Sequence, residues 1–244
     1  MTVTSAFSVF GVEPFPTIRQ GDSIIDALLS VLDEQAHYRL ADGDIVVVAS
    51  KVVSISERRY VELATVTPSP RAREISAQTG KPAAIVQLIL DESTGHYLAT
   101  PTGPIIARHR LGYQLTSAGI DRAGPGGAWL PPIDPDASAR HLRTALSSAT
   151  GTDVAVVIAD SDGRADRRGA TVISLGAAGI APLRITEHTE AAGNTKRQEE
   201  TLTDMLAATA GIVLGQRGRG APVVVVRGVA YERGDEGVIS ILHR

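Results

Sequence analysis

Apolar residues recur along the chain at two spacings, and the switches between them predict the elements. Over residues 23–32, Ile24, Ile25, Leu28, Leu29 and Leu32 fall on one helical face, with Asp22 as the expected N-cap. Residues 44–53 are a β-branched run interrupted at Ser50 and Lys51, which reads as a buried strand. Residues 69–79 are helical in pattern and Gly80 stops them. Residues 83–90 are apolar throughout, so periodicity leaves helix and strand open, while 97–116 carry short apolar pieces around Gly103 and Gly112, as in a β-meander. The Gly- and Pro-rich stretch 124–132 is expected to be a loop. A helix is predicted over 136–148, with Ala137, Leu142, Ala145 and Leu146 as its apolar stripe. Then come a strand over 154–159 ending at Asp160, a charged loop over 164–169, a helix over 198–214 closed by Gly215, and a buried strand over 223–226. On the 198–214 helix, Leu202, Leu206, Thr209 and Val213 share one side. Helices and strands of both kinds alternate without a linker or repeat, so the class is α+β: mixed β-sheets with packed helices in one domain, 1–244.

Composition narrows the chemistry. The 244 residues are enough for a real core, and 43% hydrophobic against 21% charged is an ordinary globular balance. A net charge of −3 gives no general attraction to nucleic acid or anionic lipid, and 4% aromatics leaves little for base stacking. The absence of cysteine excludes disulfides, thiolate nucleophiles and Cys-based metal sites. The first nine residues lack a basic stretch and a long apolar core, and no apolar run reaches the roughly 20 residues of a membrane helix. A cytoplasmic protein with neither nucleic-acid nor membrane partners is expected.

Three polar clusters follow apolar elements. In Ala159-Asp160-Ser161-Asp162-Gly163-Arg164, a carboxylate beside a hydroxyl suits a hard cation such as Mg²⁺, although Asp, Ser and Gly are also plain turn residues. Ala118-Gly119-Ile120-Asp121-Arg122 offers a carboxylate and an arginine that could hold metal and phosphate or form a surface ion pair. The loop Gly215-Gln216-Arg217-Gly218-Arg219-Gly220-Ala221-Pro222 could approach phosphates through its glycines or be a solvated connection. It is neither a Walker A loop, lacking Lys-Ser/Thr, nor a dinucleotide fingerprint, since it follows a helix. The six histidines show no metal-ligand spacing and there is no Gly-x-Ser-x-Gly elbow, so a hydrolase triad has no support.

Taken together, the motifs resemble those of the coenzyme F420-0:gamma-glutamyl ligase family over nearly the whole chain. The carrying segments are Gly11-Val12-Glu13-Pro14, the run from Gly43 through Ser50-Lys51 to Ser54, Pro68-Ser69, Ile89-Leu90-Asp91-Glu92-Ser93, Ser117-Ala118-Gly119-Ile120-Asp121-Arg122, Pro135-Asp136-Ala137-Ser138, and Val223 to Gly228. The resemblance implies GTP or ATP as co-substrate, Mg²⁺ or Mn²⁺, and an intertwined homodimer. It places metal ligands at Asp121, Asp160, Ser161 and Gln216. It places nucleotide contacts at Gly11, Val12, Glu13, Pro14, Ser50 and Lys51, and in the 214–222 loop including Gly215, Gln216, Arg217 and Gly218. Three weak clusters would thereby become one site.

The reaction implied is activation of a carboxylate as its acyl phosphate followed by attack of an amine such as L-glutamate, with Asp160, Asp162 and Lys51 as catalytic candidates. Asp162 would act as base or hold a cationic amine. Several positions depart from the family pattern. Ile55 stands for a lysine, Gly124 for an asparagine and Leu111 for a histidine, and Asp162 and Asp166 stand for aromatics. Ala170 and Val172 also differ in kind. These changes keep two alternatives open: a ligase of specialised metabolism joining a different acid or amine, and a non-catalytic nucleotide-binding homologue.

Overall fold

The computed structural model describes residues 6–35, 38–99, 104–164, 166–189, 195–215 and 220–243. In chain order the elements are β1 (Ser8–Gly11), α1 (Ile24–Glu34), β2 (Ile45–Ala49), α2 (Ser50–Ser56), β3 (Tyr60–Glu62), α3 (Pro70–Thr79), α4 (Ala83–Asp91), β4 (Ser93–Leu98), β5 (Ile106–His109) and β6 (Gln114–Thr116). They continue with β7 (Asp121–Ala123), β8 (Gly127–Trp129), α5 (Pro135–Thr150), β9 (Ala155–Gly163), β10 (Ala170–Ala178), β11 (Leu183–Thr189), β12 (Thr195–Thr201), α6 (Leu202–Leu214) and β13 (Val223–Arg227). The α+β class expected from the sequence holds. Among the described residues no helix is long and apolar enough to cross a membrane.

The main sheet has the order β1-β13-β2-β9-β10, antiparallel except where β2 runs parallel to β9. Its central strands are apolar on both faces because both are covered. Val46, Val48, Val223 and Val225 pack with Ile24, Leu28, Leu142 and Leu146 of α1 and α5. Their neighbours Ile45, Val47, Val224 and Val226 pack with Leu202, Leu206 and Ala210 of α6. A separate core joins α3 and α4 to the small sheets β4-β5-β6 and β3-β8-β7 through Ile75, Val86, Ile89, Ile105 and Ala128.

Several expected boundaries move, each for a local reason. Ser23, not Asp22, caps α1, accepting the Asp26 N–H at 3.1 Å, while Asp22 accepts that of Arg19. The strand expected over 44–53 ends at Ala49, and Ser50 opens α2, which turns Val53 and Ser54 into the core. Tertiary packing here overrides the strand preference of Val52 and Val53. Residues 83–90 are helical. The Gly-rich stretch 124–132 hides β8, in which Gly127 leaves room for the Tyr60 ring that lies where a Cβ would be. β9 runs past Asp160 to Gly163, its polar end held in a ladder by β10. Residues 198–201 belong to β12, and α6 starts at Leu202. α5 is capped by Asp134, which leaves Asp136 inside the first turn.

Asp136 ties distant parts together. Its buried carboxylate accepts N–H groups from Ala177 (2.9 Å), Val238 (2.8 Å) and Ile239 (3.0 Å), fastening the C-terminal turn and the bulged middle of β10 to α5. From the α6 side, Asp204 accepts both the N–H and the hydroxyl of Ser174 just before the same bulge. A second charged junction surrounds Glu92, which receives Arg59, Arg110 and the buried His109 at 3.1–3.3 Å. Leu111 N–H donates to His109 Nδ1, so the neutral ring donates from Nε2. The His109 hydrogen bond, helped by both arginines against burial, lowers Glu92 to about 2.

Asp136→Ala strands three backbone donors, two of them wholly buried, and is expected to lower the free energy of unfolding by about 3 kcal/mol. Urea denaturation measures this; a loss under about 1 kcal/mol would remove Asp136 from its place as a fastening point.

Candidate active site

The parallel pairing of β2 with β9 sets Ala49 opposite Ala159, so Ser50, where β2 gives way to α2, and Asp160, still within β9, stand side by side. Ligands of open α/β sheets gather outside such carboxyl ends. A cavity of about 290 Å³ opens there, and Ser50, Lys51, Asp121, Asp160, Ser161 and Gly215 all line it. Residues far apart in sequence, expected to form one site, are thus brought together.

Each arrives by a different route. Ser50 is buried at the start of α2 and hydrogen-bonds the Asp160 carboxyl. Lys51, the next residue, places Nζ 3.8 Å from Asp121 Oδ2. Ser161 lines the cavity and donates its N–H to Asp160 Oδ1 at 2.9 Å. Asp121 is delivered by an unusual turn: Ser117, Ala118 and Gly119 have φ of 52°, 53° and 71°. A left-handed backbone costs a non-glycine residue about 1–2 kcal/mol. The turn persists because Ala118 is wholly buried in the core around α3 and α4, and Ser117 N–H donates to Ile105 O at 2.6 Å. Gly119 passes so close to the site that a Cβ would lie 3.6 Å from Asp160 Oδ2.

The electrostatics of the site are unbalanced. Burial first, then the charge of Asp121, pushes the Asp160 carboxyl up to about 7, against the Ser50 and Ser161 hydrogen bonds that lower it. Burial also raises Asp121, with Lys51 opposing. Two carboxylates and a hydroxyl are hard oxygen donors, and their shared reluctance to ionise together is the condition a divalent cation relieves. The donor set therefore fits Mg²⁺ or Mn²⁺. Among the described residues no group of three or more acidic or histidine side chains is placed to hold a metal ion, so a cation here would rest on the two carboxylates and the Ser161 hydroxyl. Gln216, the further ligand expected, lies outside the described residues with Arg217 and Gly218.

The remaining candidates spread around this centre. Glu13 and Pro14 line a second, more open cavity of about 600 Å³ that shares Gly220 and Pro222 with the first. Gly11 ends β1 beside Ala221, and Val12 is buried in the core with its N–H donated to Val223 O. Asp162 is not among the cavity's lining; its Oδ1 accepts the Thr116 N–H at 2.7 Å. Sequence reasoning missed Phe15 and Tyr38, the aromatic wall of the second cavity, and no local motif signals either.

Comparison with known proteins gives the family. The family model described as F420-0:Gamma-glutamyl ligase matches residues 13–228. The chain is 35% identical, over 96% of its length and 95% of the relative's, to the coenzyme F420:L-glutamate ligase of Methanothermobacter thermautotrophicus. It is 37% identical to the ligase of that name from Archaeoglobus fulgidus, covering 91% of this chain and 87% of the relative. The chain is therefore an amide-bond-forming ligase and belongs to the F420-0:gamma-glutamyl ligase family.

Proposed function

We propose that the protein is a nucleotide- and divalent-metal-dependent ligase that joins L-glutamate to F420-0, with GTP or ATP as co-substrate. The observation that carries this reading is the convergence of Asp121 and Asp160 beside Lys51 in one cavity. Its support in substrate terms is the name shared by the relatives, coenzyme F420:L-glutamate ligase.

A substrate carboxylate and a triphosphate repel each other, so the site must gather both against their charge. A cation held by Asp121, Asp160 and Ser161, with Gln216, would neutralise the phosphate oxygens on which charge develops. Lys51 supplies a fixed positive charge at the mouth of the same cavity. Ser50 and the Ser161 N–H hold the Asp160 carboxylate in one orientation, which leaves its other lone pairs for the cation. Attack of the carboxylate oxygen on the terminal phosphorus forms the acyl phosphate and releases the nucleoside diphosphate. The amine nitrogen then attacks the acyl carbon and phosphate departs. The second cavity, which shares Gly220 and Pro222 with the first, would receive the rest of the nucleotide against Glu13 and Pro14.

The reading includes a homodimer. β11 and β12 form a two-stranded sheet by themselves, largely exposed on both faces, and an isolated hairpin is marginal in water. Beside it, α6 leaves Met205 and Ile212 exposed, the latter at 85%, and β11 leaves Ile185 out. A second copy covering this face would supply the missing burial and would fit the cytoplasmic, small-molecule enzyme proposed.

With GTP or ATP, Mn²⁺, F420-0 and L-glutamate, mass spectrometry is expected to find the glutamylated product with one phosphate released per bond. Asp121→Asn and Asp160→Asn are each expected to cut kcat by at least about 100-fold. No product with either nucleotide would sink the substrate assignment, and no amine-dependent phosphate release with any acid would sink the mechanism. Sedimentation is expected to give twice the 25.6 kDa chain mass; a monomer at micromolar concentration would contradict the dimer. The raised Asp160 carboxyl also has a signature in the metal-free protein. Its contribution to stability is complete below about 4 and is lost as pH rises through about 7, because the fold then holds an ionised carboxylate it disfavours. The melting temperature should fall across that interval, Mn²⁺ should restore it, and Asp160→Asn should flatten the profile; an unchanged slope in that variant would exclude Asp160 as its source.

A further inference from the structure

Asp162 stands two residues beyond Asp160 on β9, on the same side of the strand, yet its carboxylate does not line the cavity. It is engaged instead with the segment that brings in the other carboxylate. Asp162 Oδ1 accepts the Thr116 N–H at 2.7 Å, and Thr116 Oγ1 donates to Gly163 O at 3.2 Å. The approach is close: a Cβ at Gly163 would lie 2.8 Å from Thr116 Oγ1. Thr116 ends β6, and the next three residues are the left-handed turn Ser117, Ala118 and Gly119 that leads to Asp121 at the start of β7. The turn closes on itself through Ile120 N–H to Ser117 O at 3.0 Å, so its exit follows from where its entry is held.

We propose that Asp162 is a positioning residue: through Thr116 and the left-handed turn it sets the separation of Asp121 from Asp160, and so tunes how tightly the pair holds a divalent cation. The inference rests on the reading of that pair as a metal site. One strand thereby carries both the first carboxylate and the clamp for the segment bearing the second. The required property of Asp162 is an acceptor oxygen toward a backbone N–H, not negative charge and not basicity toward substrate. An asparagine keeps that acceptor, whereas alanine removes it and leaves the Thr116 N–H without its partner.

The test measures Mn²⁺ affinity by electron paramagnetic resonance on the nucleotide-free protein, with the melting temperature of each metal-free variant checking that it folds. Asp162→Ala is expected to weaken Mn²⁺ binding by about 10–100-fold, the range typical of partners that orient metal ligands, while Asp162→Asn stays within about threefold of the parent. Gly163→Ala, which presses a methyl group onto Thr116 Oγ1, should weaken binding as Asp162→Ala does. Parental affinity in Asp162→Ala would overturn the proposal, as would equal losses in Asp162→Asn and Asp162→Ala, which would assign the effect to charge. In either case the metal reading survives; if the parent itself retains no Mn²⁺, both fall together.

Discussion

The arrangement depends on two parallel strands, β2 and β9, in a sheet whose other neighbours are antiparallel. Parallel pairing points both chains toward one end of the sheet, where β2 gives way to α2 and β9 runs on into polar residues still paired with β10. Ser50 and Asp160 meet for that reason alone. An antiparallel pair would have sent the two exits to opposite ends of the sheet. The crossover between them contains α2 to α5 and both small sheets, and it is this long excursion that returns Asp121 to the same end.

What converges is a surplus of negative charge, around a desolvated Asp160 and a half-exposed Asp121. Proteins tolerate buried carboxylates when hydrogen bonds or cations answer them. Asp136 and Asp44 illustrate the first solution, Asp136 with three backbone N–H groups and Asp44 with the Arg227 guanidinium. Asp160 has two such hydrogen bonds but faces Asp121 as well, and Lys51 answers only part of the sum from a solvent-exposed position. The contrast separates fastening carboxylates from those kept in readiness, although composition treats all of them alike.

Much of this was legible in the sequence, and unevenly so. The helices α1, α3, α5 and α6, together with the valine-rich strands, announced themselves by periodicity or by their stop signals, because each buries a face in one of the three cores. The three polar clusters were visible as residue types but ambiguous singly, since a turn and a metal site use the same side chains. What failed was whatever tertiary contact decides. Val52 and Val53 became helical because their neighbours are buried in a turn of helix. β8 was concealed by the glycine that leaves room for the Tyr60 ring. Asp162 carried the same letter as a catalytic acid, and only its partner, Thr116, distinguishes the two roles. No sequence rule foresees consecutive left-handed residues at Ser117 and Ala118, since neither is a glycine.

The central strands carry a further consequence. β2 and β13 are apolar on both faces, so sliding one past the other by a residue would still bury valine against the two cores. Hydrophobicity thus leaves their alignment almost free. The polar end must fix it, where Arg227 grips the nearly inaccessible Asp44 through two hydrogen bonds and also holds the carbonyl of Arg39. That guanidinium acts as the zero mark of a ruler whose far end is the start of β13 beside the exit of β2. A residue with no contact to any reactant would in this way govern how Gly220 and Pro222, just before β13, meet the cavity wall beside Ser50.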